Sequence, residues 1–355
     1  MTEKRETTST IRRGRRLPLA GVILFMTALL VAVIVISTGS GFVRIPFPNV
    51  VRVIAAQLTG LEGLVARLDP LVPVVVMDVR LPRILTAALV GSGLAISGAV
   101  FQGILLNPLA DPYTLGVSAG AAFGASVALL IDFTLLGFWS VPALAFCGAI
   151  ATLMAVIYLT ASSGDFSSGA LILSGIIVAA ILSAGVSLIK YLADEQVGII
   201  IFWLMGSFAS KTWAEVGLTA TAVIPGLIVF LFFSRDLNLL ALGSRTAGSL
   251  GVSPRKISMI LLVAASLISA VCVAVSGIIG FVGLLVPHMV RFVTGPDNRR
   301  LLPVSALVGA ILLLAADTVT RAVLPQEVPI GVITALIGGP VFCYIYRKRQ
   351  TREVR

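Results

Sequence analysis

Charge is scarce in this chain. Only 12% of its 355 residues are Asp, Glu, Lys or Arg, about half the share of a typical soluble domain. That leaves too little polar surface to wrap a water-soluble core. Disorder is excluded too, because 58% of the residues are apolar. Cysteine occurs three times and histidine once. Cys147, Cys272 and Cys343 lie far apart within apolar runs, so they suggest neither a disulfide framework nor a metal motif. His288 has no Cys, Met or carboxylate neighbours at ligand spacing, which makes it a poor haem or metal ligand and a better structural hydrogen bonder. The chain lacks G-x-x-x-x-G-K-[ST], so it carries no nucleotide loop. Paired carboxylates and nucleophile–base constellations are missing as well, so the chain does not read as an enzyme.

Long apolar runs are plentiful. A helix needs about 20 such residues to cross the hydrocarbon core, and a β-barrel would instead show short alternating strands. The expected fold class is an all-α polytopic membrane protein of about ten transmembrane helices. The spans are expected at 17–43, 84–106, 113–131, 140–160, 169–189, 215–233, 257–277, 281–292, 302–319 and 329–346. The first follows a basic tail and is too long, with no convincing cleavage site, for a signal peptide. Gly277, Gly280, Gly283 and Pro287 favour a broken or re-entrant stretch inside the uncharged run 257–290. Residues 1–16 then form a cytoplasmic tail, 17–346 the membrane domain and 347–355 a second cytoplasmic tail.

The formal charge of +10 does not indicate nucleic acid, because the basic residues sit in short segments between apolar runs. With both termini in the cytoplasm, the inner segments hold eighteen of the 26 Lys and Arg, in keeping with the positive-inside rule. One outer loop departs from it: Arg44, Arg52, Arg67, Arg80 and Arg83 crowd the connection after the first span.

An internal echo is also present. Ala95-Ile96-Ser97-Gly98 returns as Ala274-Val275-Ser276-Gly277, each with a proline ten residues beyond its glycine, Pro108 and Pro287. Five spans separate the copies, so they would run in opposite directions, as inverted repeats do in transporters.

Four segments carry a resemblance. They are DVRLPRILTAALVGSGLAISGAVFQGILLNPLADPYTLGVSAGAAFG (78–124), LNLLALGSRTAGSLGVSP (237–254), GIIGFVGLLVPHMVR (277–291) and PIGVITALIGGPVF (329–342). In this order they resemble the permease family of ABC importers for iron chelates, haem and cobalamin. The resemblance runs from about residue 17 to the end of the last span. It implies a permease subunit that pairs with a second permease, either a copy or a paralogue. Its other implied partners are two cytoplasmic ATPase subunits and a periplasmic or lipid-anchored binding protein. The implied location is the bacterial cytoplasmic membrane. No cofactor is implied on this chain; ATP and Mg belong to the ATPase partners.

The resemblance also implies residue roles. Arg80, Arg83 and Arg321 match arginines that pair with binding-protein carboxylates, a task suited to the bidentate guanidinium fork; Asp317, four residues before Arg321, could instead occupy that arginine. Asn107 and Leu109, in the proline-broken Asn107-Pro108-Leu109-Ala110-Asp111-Pro112, match positions that help close the cytoplasmic end of the path. Residues 237–254 match helices that fit a groove on the ATPase, with Leu242, Gly243, Arg245, Ala247, Leu250 and Gly251 as candidate contacts. Gly116, Gly120 and Gly124 recur every four residues and offer a smooth helix face for close packing. The implied cargo is a ferric siderophore or haem, with cobalamin as the alternative within the family. An ion-coupled secondary transporter is the competing class. It calls for ionisable groups in mid-span, and these spans contain essentially none.

Overall fold

The computed structural model describes residues 18–41, 44–162, 167–322 and 326–353. The expected tail 1–16 lies outside them. Among the described residues the regular structure is helical throughout.

The first helix, α1 (Leu19–Gly39), is uncharged and exposed along most of its length. A surface helix, α2 (Phe47–Thr59), follows, and was not expected from the sequence. A short α3 (Leu71–Val74) leads through one π-helical stretch, Val75–Arg80, into α4 (Leu81–Ile104). The second span therefore starts well before residue 84, forming a continuous 34-residue helical unit. At about 1.5 Å per residue it outruns a hydrocarbon core about 30 Å thick, so part of it projects beyond the membrane.

Next come α5 (Val117–Leu130), α6 (Ser140–Ser162) and α7 (Ser168–Leu192), then a short α8 (Val197–Leu204). Helix α9 (Trp213–Phe232) starts at a capping box. Thr212 Oγ1 accepts from Ala214 N, while the Glu215 carboxylate accepts from Thr212 N at 2.8 Å. Two small helices, α10 (Ser234–Leu240) and α11 (Ser244–Ser249), precede α12 (Pro254–Ser276). The chain ends with α13 (Val282–Thr294), α14 (Asn298–Ala322) and α15 (Ile330–Glu353). Among the described residues, seven helical units are long and apolar enough to cross a membrane. The shorter apolar helices α5, α13 and the first part of α15 stand at the remaining expected positions. Helix α15 runs on past residue 346 without a break, so no structural boundary separates the last span from the expected C-terminal tail.

Helix α4 is the axis of the molecule, buried from Leu81 to Ile104 on nearly every side by α9, α12, α13 and α14. Without a strong water-driven force inside a membrane, helices associate through close packing of small residues. A side chain at Gly91 would strike the backbone of Gly309 on α14, and one at Gly98 that of Gly283 on α13.

The two copies of the internal echo adopt different local structures. Ser97-Gly98 lies inside α4, whereas Gly277, at φ 72°, terminates α12. Pro108 falls in a connection, while Pro287 lies inside α13. The break expected within 257–290 occurs at 277–281, between α12 and α13.

Candidate functional site

Functional groups gather at two opposite ends of the bundle, and α14 reaches both. At the first end, where α1 and α14 terminate, Asp317 is the hub. Its side chain is 1% exposed and accepts from Arg83 Nη2 at 2.9 Å and Arg83 Nε at 3.1 Å. Arg321 Nε stands 3.4 Å from its other oxygen. Arg83 also donates from Nη1 to Glu327 at 3.0 Å, and Glu327 is 52% exposed. The sequence reading turned Arg80, Arg83 and Arg321 toward an external partner. In the structure Arg80 and Arg321 face the chain instead. Arg80 donates to Thr38 O at 2.6 Å, and Arg321 donates to Ser40 O at 2.5 Å and to Ser37 O. The reason is local: the last carbonyls of a helix lack intrahelical donors, and cations suit its negative end. The possible Asp317–Arg321 pair is present, shared with Arg83.

The second end holds the connection between α4 and α5. Asn107 Oδ1 accepts from Leu109 N at 2.9 Å, and Asp111 Oδ1 accepts from Tyr113 N at 3.1 Å and Thr114 N at 3.0 Å. These Asx turns replace the backbone bonds that Pro108 and Pro112 deny a helix. Leu109 is exposed and Asn107 half-buried. Burial pushes the Asp111 carboxyl up to about 6, although its two N–H donors pull the other way. Tyr113, which sequence reasoning passed over, spans the α12–α13 break: its hydroxyl donates to Ile279 O at 2.5 Å and accepts from Ile279 N at 3.2 Å. Gln102 was missed as well. It is buried, donates to Leu284 O at 3.1 Å and accepts from Arg291. A polar side chain inside an apolar span was the available signal.

The three glycines split. Gly116 is not on the helix face but at the N-cap of α5, with φ 75°. Gly120 and Gly124 lie on α5 against the backbone of α6 at Gly148 and Leu144. Gly148 returns the contact to Gly120, a partner the sequence reading did not single out.

Helices α10 and α11 form a protruding polar turn. Ala247 is fully buried against Leu240 and Val252, while Leu242, Arg245 and Leu250 are exposed. Gly243 and Gly251 flank α11 with φ 95° and 86°, and nothing crowds either. Each turns the chain where a side chain would be strained. Asn238 fastens the turn to the bundle. It donates to Asp297 Oδ1 at 2.7 Å and accepts from Asn298 N at 2.9 Å and Asn298 Nδ2 at 2.7 Å. His288 sits in α13, edge-on to Phe292 with ring centroids 5.1 Å apart. Among the described residues no three His, Cys, Asp or Glu converge.

Interrupted helices meeting inside a helical bundle are a transporter device, and they place this chain among membrane transport permeases. Residues 22–348 match the FecCD transport family, and the chain belongs to that family. A cobalamin import permease of Halobacterium salinarum is 43% identical over 79% of this chain and 75% of its own length. A molybdate import permease of Haemophilus influenzae is 40% identical, covering 90% and 94%. A hemin transport permease of Yersinia pestis is also 40% identical, covering 78% and 84%. A solved structure described as an inward-facing metal-chelate type ABC transporter superposes with a TM-score of 0.81 at 36% identity, over 93% of this chain and 99% of that one.

Proposed function

We propose that this chain is the permease subunit of an ATP-driven importer that carries an iron chelate, a ferric siderophore or haem, across the bacterial cytoplasmic membrane. Both termini face the cytoplasm. Two cytoplasmic ATPases seat on residues 237–254, and a second permease, a copy or a paralogue, completes the path. ATP and Mg act on the ATPases, and this chain contributes no cofactor and no catalytic group.

The observation that carries the reading is the reach of α14. Its first residue, Asn298, is bonded to Asn238 at the edge of the α10–α11 turn. Its last turns hold Asp317 and Arg321 at the opposite end. A 25-residue helix spans about 37 Å, long enough for one element to reach from the proposed ATPase side to the proposed receptor side.

At the receptor side an external binding protein docks around Arg83 and Glu327. Arg80 and Arg321 support that surface from within and reach an incoming carboxylate only by releasing the carbonyls of α1. At the other side Asn107 and Leu109 close the exit. The halobacterial cobalamin permease, at 43% identity, favours cobalamin as the second reading. Proteoliposomes containing the full complex, offered ferric siderophore, haem and cobalamin with the cognate binding protein, decide the cargo. ATP-dependent accumulation of an iron chelate supports the proposal, and accumulation of cobalamin alone replaces it with the second reading.

A further inference from the structure

Helix α2 has three faces rather than two. Val50 and Val53 point into the molecule and are buried against the 71–81 segment, and Ala56 is buried as well. Phe47, Val51 and Leu58 follow at i, i+4 and i+11, on a single helical stripe, and Ile54 at its inner edge is half-buried against the same cluster as Val50 and Val53. Phe47 is 60% exposed, Leu58 81%, and Val51 is exposed as well. On a wheel of about 100° per residue, Arg52, Ala55 and Thr59 fall on the remaining side. Protein, apolar surface and polar surface thus lie about 120° apart around one helix. An exposed apolar stripe beside a polar face has no use in water.

The position of the helix says what covers the stripe. The Ile45 amide donates to Gly39 O at 3.1 Å, which returns the chain to the end of α1 just before α2 begins. Phe47 lines a shared groove with Val35 and Ile36 of α1. Helix α1 exposes Leu24, Phe25, Val31 and Ile36, an apolar surface suited to acyl chains. The stripe of α2 continues that surface at the level where α1 leaves the membrane. Exposed Arg44 and Arg52 stand beside it, where phosphate-bearing headgroups lie. This also accounts for basic residues in a loop that the positive-inside rule would keep poor in them.

We infer that α2 is an interfacial helix. Phe47, Val51 and Leu58 seat in the acyl boundary of the leaflet at the C-terminal end of α1, and Arg44 and Arg52 bind anionic phospholipid headgroups. The helix braces the projecting start of the α3–α4 unit against the membrane surface, next to Arg80 and Arg83.

The test uses the full-length chain in nanodiscs, alone and assembled with its partners, with Cys147, Cys272 and Cys343 replaced. Spin labels are placed singly at Val51→Cys, Arg52→Cys, Leu58→Cys and Thr59→Cys. Labels at 51 and 58 should collide preferentially with oxygen, at a depth of about 5–10 Å. Those at 52 and 59 should collide preferentially with a water-soluble nickel chelate. In phosphatidylglycerol, adding Arg44→Gln and Arg52→Gln should make the label at 58 shallower; in phosphatidylcholine the pair should change nothing. Nickel access at 51 and 58 equal to that at 52 overturns the inference. So does exclusion of both reagents, which would show a second copy or a binding protein covering the stripe. A label depth that ignores the arginine changes in both lipids overturns the headgroup assignment.

Discussion

Replacing Asp317 by Ala removes the only carboxylate among the described residues that touches both Arg83 and Arg321. Its side chain is 1% exposed, and those of its partners are 14% and 6% exposed. Breaking a buried pair leaves charge uncompensated and costs about 3–5 kcal/mol. Arg83 keeps Glu327, and Arg321 keeps the carbonyls of Ser37 and Ser40, which places the loss near the low end, about 3 kcal/mol. At about 1.4 kcal/mol per decade, that is roughly a hundredfold in the unfolding constant. Glu327→Gln breaks a pair whose acid is half in solvent, and exposed pairs are worth about 0.2–1 kcal/mol. Reversible unfolding of the purified chain in mixed micelles, followed by circular dichroism, measures both. Adding Arg321→Ala to Asp317→Ala should recover part of the loss, because one of the two stranded charges is gone. Equal, small effects of Asp317→Ala and Glu327→Gln would refute the hub.

Asp111→Asn keeps the oxygen that accepts from Tyr113 and Thr114 but removes a carboxylate whose native pKa is raised from 3.8 to about 6. A raised acid favours the native state at low pH, and that contribution is lost as pH rises from about 4 to 6. The variant should therefore be more stable than the parent at pH 7, by roughly 2–3 kcal/mol as an upper bound at 1.36 kcal/mol per unit, with the gap closing toward pH 4; a pH-independent gap in Tm refutes this. Gly251→Val forces a β-branched residue to φ 86°, so it should weaken ATPase association or uncouple hydrolysis from uptake while the membrane domain still folds; normal stimulation in proteoliposomes counts against it. Cysteines placed at Asp132 and Glu327 should react with an impermeant maleimide from outside and one at Ser244 only from inside, and labelling at 244 from outside reverses the orientation.

Hydropathy made the spans legible because each must satisfy its own backbone in lipid over a fixed length. Gly277 marked the α12–α13 break because it ends α12 at a positive φ, whereas Pro287 pointed only to the neighbourhood and sits inside α13. Helices α2 and α8 escaped. One is 13 residues and amphipathic, the other eight, and neither length resembles a span. The inward turn of Arg80 and Arg321 was not legible either. Their acceptors, Thr38, Ser37 and Ser40, are 42 to 284 residues away, and only the packed end of α1 brings them close. Gly251 was singled out for close approach to a partner; its positive φ of 86° is a further constraint that the sequence did not reveal. Asn238 drew no notice because an asparagine in a polar turn has no periodic signature, although its three bonds tie α10 to α14.

The central claim is that this chain conducts a chelate under the power of separate ATPases. Proteoliposomes holding the permease, its ATPase partner and its binding protein, loaded with ATP and carrying no ion gradient, measure it directly. The account predicts that ferric chelate accumulates inside, and that accumulation stops when ATP or the binding protein is withheld. Uptake that proceeds without ATP and follows an imposed proton or sodium gradient would contradict it.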